Sequence, residues 1–175
     1  MTIRAADGLD PSDPETRVLI EGEATELHYM KPKASLVHWK NVAFDAETCH
    51  YLQSQEDEYA WFDGCFFFDS LGWGTPRAHI ILNKNGSNRQ GWSATNCDGY
   101  NKRDGFNGGQ LVRNCHINGM TRDYFTNTRL VIDCSVEHFH RIVADEHCDL
   151  YQLFGSLGDE MVNYICFGLR AWDLK

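Results

Sequence analysis

Proline is scarce in this chain. Four occur in 175 residues, and after Pro32 only Pro76 remains. A proline-rich linker is thereby excluded, and most of the chain is free to donate to a backbone ladder. Long apolar runs are missing too. None approaches the ~20 residues that a membrane-crossing helix requires, so no membrane partner is expected. The first residues, "MTIRAADGLDPSDPE", lack the basic start and apolar core of a secretory signal, and a cytoplasmic location is expected. Positive charge is thin: 16 Lys and Arg stand against 25 Asp and Glu, for a net charge of −9, with no basic stripe. A protein that tracks a phosphate backbone shows a positive footprint, so no nucleic-acid partner is expected. Seven cysteines are present but no CxxC pair, which argues against a zinc ribbon or a dithiol redox site. Their apolar neighbours, as in "YICFGL" and "WFDGCFFF", suggest buried reduced thiols. Cys97, in "TNCDGY", looks the most exposed. Glycine-rich phosphate loops, HExxH and GxSxG are absent, which gives no support to nucleotide, zinc-protease or serine-hydrolase chemistry of the known motif types.

What the chain has in quantity is short β-like runs. The length suits one domain. Residues 1–15, with two prolines and four acidic residues, read as a flexible arm, and residues 16–175 as a single domain without internal repeats. "TRVLI" and "ATELHYM" flank Glu21-Gly22-Glu23, a hairpin pattern. "RAHIILNK" and "RQGWSAT" flank Asn85-Gly86, a stronger one. "DAETCHYLQSQEDEY" reads as the one short helix. Residues 98–110, rich in Gly and Asn, read as a long loop. "MVNYICFGLRAW" reads as a long terminal strand, apolar on both faces and covered on both. Residues 135–154 fit a helix capped by Ser135 or a pair of strands. Dense β-branched and aromatic residues favour the strands.

Together these features predict an all-β fold: a single antiparallel up-and-down β-barrel, lipocalin-like, of about 8–10 strands with one short helix. The alternatives are a cupin-like or jelly-roll sandwich, or an α+β fold if 135–154 is helical. A barrel of this kind holds a small ligand inside. Trp61, Phe66, Phe68, Trp92, Arg170 and Trp172 are the expected substrate-binding residues around an aromatic-lined cavity.

Two histidines carry the chemistry of that expectation. In "DCSVEHFHRIV" a strand places His138 and His140 on one face, with Ile132, Cys134 and Val136, looking into the barrel. An imidazole near its ordinary pKa accepts and returns protons at neutral pH without a cofactor. His138, His140 and Tyr164 are the expected catalytic groups of an isomerase, cyclase or lyase acting on a small apolar organic molecule. His116, before the turn-like Asn118-Gly119, could reach the barrel mouth. The His-x-His pair with a following carboxylate also resembles part of the metal motif of cupins. That resemblance implies Fe or Zn held by His138, His140 and Glu146, in an oxygenase or isomerase. The glycine before the first histidine and the second cupin motif are absent. A third expectation is a non-enzymatic binding protein, a homodimer or larger assembly formed through the terminal strand.

Overall fold

The structure is a computed structural model that describes residues 1–20, 29–30, 36–45, 51–52, 59–68, 79–82, 92–100, 104–120, 122–139, 149–152 and 164–173. The chain winds in seven successive coils. The first carries β1 (Thr2–Arg4), β2 (Leu19–Ile20) and β3 (Tyr29–Met30), and the second β4 (Leu36–Lys40), β5 (Ala43–Asp45) and β6 (Tyr51–Leu52). The third carries β7 (Tyr59–Asp63), β8 (Phe66–Phe68) and β9 (His79–Leu82), and the fourth β10 (Trp92–Thr95), β11 (Asp98–Tyr100) and β12 (Asp104–Asn107). The fifth carries β13 (Leu111–Arg113), β14 (His116–Asn118) and β15 (Phe125–Thr126). The sixth carries β16 (Leu130–Ile132), β17 (Ser135–Glu137) and β18 (Tyr151–Gln152), and the last β19 (Ile165–Phe167) and β20 (Arg170–Trp172).

Each strand pairs in parallel with its counterpart one coil away. The first side is a seven-stranded sheet, β1-β4-β7-β10-β13-β16-β19, and the second is β2-β5-β8-β11-β14-β17-β20. Sheets β3-β6 and β9-β12-β15-β18 make up the third side. This is a three-sided parallel β-solenoid, with no helix among the described residues.

The expected antiparallel barrel is therefore corrected. No hairpin joins β2 to β3: β2 pairs β5, and β3 pairs β6. The Asn85-Gly86 turn lies outside the described residues. Within the expected helix, Asp45 ends β5, Tyr51–Leu52 form β6 and Tyr59 begins β7. Residues 135–137 are a strand, β17, while 140–148 lie outside the described residues. The expected loop 98–110 contains β11 and β12, and the expected arm begins with β1, paired to β4.

One local device makes the coils. The turn from the first side to the second is a single residue in the left-handed region: Asn41, Asn96, Asn114 and Asp133 at φ 52–54°, and Gly64 and Gly168 at 60° and 68°. Asn and Asp tolerate this conformation better than other side chains, and Gly adopts it freely. Neighbouring coils are tied on both flanks of the corner. The Asn96 amide donates to the Arg113 carbonyl at 3.0 Å and the Asp98 amide to the Cys65 carbonyl at 3.0 Å, a pattern repeated down the stack. Side chains add a second ladder: Asn114 Nδ2 donates to Asn96 Oδ1, and Asn96 Nδ2 to Asp63 Oδ1, each at 2.8 Å. At two corners glycine leaves room for the longer residue of the preceding coil. A Cβ on Gly64 would stand 2.4 Å from Asn41 Oδ1, and one on Gly168 2.4 Å from Asp133 Oδ1.

The residue after each corner points inward: Val42, Cys65, Cys97, Cys115, Cys134 and Leu169. Cys97, expected to be exposed, is fully buried. Burial pushes the Cys65, Cys97 and Cys115 thiols far above their ordinary pKa, which keeps them neutral small hydrophobes. Trp92, Phe62, Phe67, Phe106, Phe125 and Ile117 fill the remaining interior, each contributing roughly 1.5–3 kcal/mol of burial. Trp92 is thus a core residue rather than the wall of a ligand cavity.

Two substitutions separate the terms at the corner. Asn96→Ala should destabilise by about 1–3 kcal/mol, from left-handed strain and lost hydrogen bonds. Asn96→Gly, which keeps the conformation, should be the milder by about 1 kcal/mol in urea denaturation. For the thiols, a short iodoacetamide pulse on native protein with peptide mapping should modify exposed Cys166 well before Cys65, Cys97 or Cys115.

Candidate functional site

The left-handed corner reverses the in–out alternation. On the first side Val131 faces inward and Leu130 and Ile132 outward. After Asp133, Cys134 and Val136 face inward and Ser135 and Glu137 outward. Uninterrupted alternation had placed Leu130 and Ile132 with Cys134 and Val136. His138 is also a corner residue, at φ 51°, with its ring half-exposed at the rim of the second side. It does not look into an interior. His140 and Glu146 lie outside the described residues, as does any metal set that includes them. Among the described residues no group of three His, Cys, Asp or Glu side chains could hold a metal ion.

On the outer face of the second side, in-register pairing makes two rows. Phe66, Asp98, His116, Ser135 and Arg170 form one, and Phe68, Tyr100, Asn118, Glu137 and Trp172 the other. At the early coils the face is covered. Arg17 lies 4.3 Å over the Phe68 ring, which is 8% exposed and stacks with Phe66 at 5.3 Å. At the later coils it is open and polar.

His116 is the centre of the open part. Its Nε2 lies 2.9 Å from Glu137 Oε1 and its Nδ1 2.8 Å from Ser135 Oγ, with 34% of its side chain exposed. An ionised carboxylate only accepts, so Nε2 carries the hydrogen. In the neutral ring Nδ1 is then a lone pair that accepts from the Ser135 hydroxyl. Glu137 is fixed from other directions as well. Asn118 Nδ2 donates to Oε1 at 2.9 Å, and the Trp172 indole N–H donates to Oε2. The Trp172 ring stacks on His116 with centroids 6.0 Å apart. His138 borders the group, with Nδ1 3.1 Å from Asn118 Oδ1 and Nε2 3.3 Å from Asp173 Oδ2. Across His116, desolvation raises the Asp98 pKa. His116 lowers it and Asp10 of the β1–β2 connection raises it again.

Of the expected site residues, Phe66, Phe68, Arg170 and Trp172 lie in the rows of this one face, with His138 at its rim, but Phe66 and Phe68 stand at the covered early coils, away from His116. Tyr164 lies just before β19, at the end of that strand away from the Gly168 corner, and is half-buried. Trp61 stands 42% exposed on the first side, stacked on His38 at 4.5 Å. Ser135 and Glu137 were not expected to act. A signal was present: "NCDGY", "NCHIN" and "DCSVE" at 96–100, 114–118 and 133–137 align. The alignment puts Asp98, His116 and Ser135 in one column and Tyr100, Asn118 and Glu137 in the other.

No protein family, curated protein or solved structure matches the chain.

The Asp98 shift has a direct consequence for stability. A carboxyl whose folded pKa lies above its unfolded one opposes folding once it ionises. Asp98→Asn should therefore raise the melting temperature at neutral pH. The gain should vanish as the pH falls below the ordinary carboxylate range, where both states are protonated. A melting series against pH checks it.

Proposed function

We propose that the outer face of β11, β14, β17 and β20 binds a small organic molecule and that His116 moves protons on it, without a cofactor. The observation that carries this reading is the imidazole held between Ser135 and Glu137 while a third of it stays open to solvent. A base fixed by a carboxylate, with its other nitrogen directed at a hydroxyl, is the arrangement that general acid–base chemistry uses. Exposed Trp172 supplies an apolar wall beside it, and Arg170, next to Ser135 in the ladder, a cation for a carbonyl oxygen. Isomerase or lyase chemistry on a carbonyl compound fits these groups, and so does acyl transfer.

Ligand-detected NMR with a library of small carbonyl compounds tests the reading. Binders should shift the Trp172 indole and His116 ring signals, and Trp172→Ala should weaken them at least tenfold. Binders that leave both signals unmoved, or that bind Trp172→Ala equally well, would remove this face from consideration.

A second reading is favoured by β19, where Ile165 and Phe167 are 52% and 69% exposed on the first side, beside Ile132 and Leu130. Large exposed apolar side chains on an edge strand are a site of association. On this reading the protein is a homodimer joined through β19, the partner chain supplying the cover expected for the terminal strand. Sedimentation velocity over a hundredfold concentration range should show the dimer, and Phe167→Asp the monomer. An unchanged sedimentation coefficient in the two would refute it.

A further inference from the structure

We propose that Ser135 is a nucleophile and that the Ser135–His116–Glu137 group performs acyl transfer from esters to water. The inference deepens the reading of His116 as a proton-transfer group and rests on it.

Three relations carry it. Nucleophile and base are in hydrogen-bond contact, Ser135 Oγ to His116 Nδ1 at 2.8 Å. Base and orienting carboxylate are in contact, His116 Nε2 to Glu137 Oε1 at 2.9 Å. The carboxylate is held by two further donors, Asn118 Nδ2 and Trp172 Nε1, so its direction is fixed. This is the order nucleophile, base, orienter that activates a serine hydroxyl. Here the two imidazole nitrogens exchange the roles they have in the familiar serine proteases, which the tautomer set by Glu137 permits. The three residues come from two adjacent strands in register, His116 opposite Ser135 and Asn118 opposite Glu137. The rigid ladder therefore maintains the distances. Backbone amides near the serine are committed: Ser135 N–H donates to the Cys115 carbonyl and Arg170 N–H to that of Cys134, each at 2.9 Å. The oxyanion must then be met by a side chain, and exposed Arg170, opposite Ser135 in the next strand, supplies a guanidinium.

In the first half of the reaction Ser135 Oγ attacks the ester carbonyl carbon and its proton passes to His116 Nδ1. The carbon–oxygen bond to the leaving alcohol breaks, and the alkoxide takes that proton from Nδ1. In the second half water attacks the acyl-serine, gives a proton to Nδ1 and releases the carboxylic acid as Ser135 regains its hydrogen. No oxidant, metal or cofactor enters the balance. The open face suits a small ester whose acyl part lies against Trp172.

A fluorophosphonate probe tests this on the full chain. Ser135 Oγ displaces fluoride at phosphorus, and peptide mass spectrometry locates the adduct. The expected result is one adduct, on Ser135, absent in Ser135→Ala and His116→Ala. Labelling should slow about 10²–10⁴-fold in Glu137→Gln and about 10²-fold in Arg170→Ala. Circular dichroism melts show whether each variant is folded, and a serine pulse label on Arg170→Lys serves as the conservative control, expected to recover part of the rate. Folded wild-type protein that takes no adduct, or takes it on another serine, overturns the nucleophile. If His116 and Trp172 signals still respond to carbonyl ligands in that case, the acid–base reading stands alone; if they do not, both fall.

Discussion

Everything in this fold hangs on one backbone conformation, the left-handed residue between the first and second sides. It turns the chain in a single step and reverses the in–out parity of the side chains that follow. Six consecutive coils use it, at Asn41, Gly64, Asn96, Asn114, Asp133 and Gly168. Because the turn takes one residue, the flanking strands of these six coils keep the same relation, and backbone hydrogen bonds continue across the corner. Without it the strands would still alternate, but the second-side strand would not follow the first so directly, with its parity reversed.

Register then does the rest. Parallel strands stack at about 4.8 Å, so equivalent positions in successive coils form straight rows. Inside, Cys, Val, Phe and Ile pack in rows, and burial keeps the protons on Cys65, Cys97 and Cys115, which sit there as small apolar groups. Outside, the same rule brings residues from separate coils into hydrogen-bond range. His116, Ser135 and Glu137 are neighbours because β14 lies on β17, and Trp172 joins them because β20 follows.

The outer surfaces of the two long sides differ. The second side carries a carboxylate, an imidazole, a hydroxyl and a guanidinium in consecutive places of one row. The first side carries Ser93, Leu111, Leu130 and Ile165 in the equivalent coils, with Thr95, Arg113, Ile132 and Phe167 beside them. One face thus presents ionisable and hydrogen-bonding groups, and the other becomes apolar toward its last coils. The connection after β1 covers the early part of the polar face, which leaves the His116 group at its open end.

The sequence alone showed that the chain is strand-rich, that cysteines such as Cys65 are small buried groups, though not that Cys97 is buried and Cys166 exposed, and that alternating residues divide into core and surface. Those follow from side-chain volume, polarity and the period of two, which are local properties. It also placed His138, Arg170 and Trp172 among the residues of interest, though around the interior of a barrel, whereas they stand on the outer face of a solenoid. Pairing direction was decided only by the tertiary structure, because alternation is the same in parallel and antiparallel sheets. The repeat was hidden for a related reason. The corners recur after 18 and 19 residues in the middle coils but after 23, 32 and 35 elsewhere, since the chain between strands varies in length. Parity was decided there as well: one left-handed residue at Asp133 exchanges inside for outside, and no pattern count carried through it survives. The candidate site belongs wholly to that level, since its members become neighbours only when one coil is laid in register on the next.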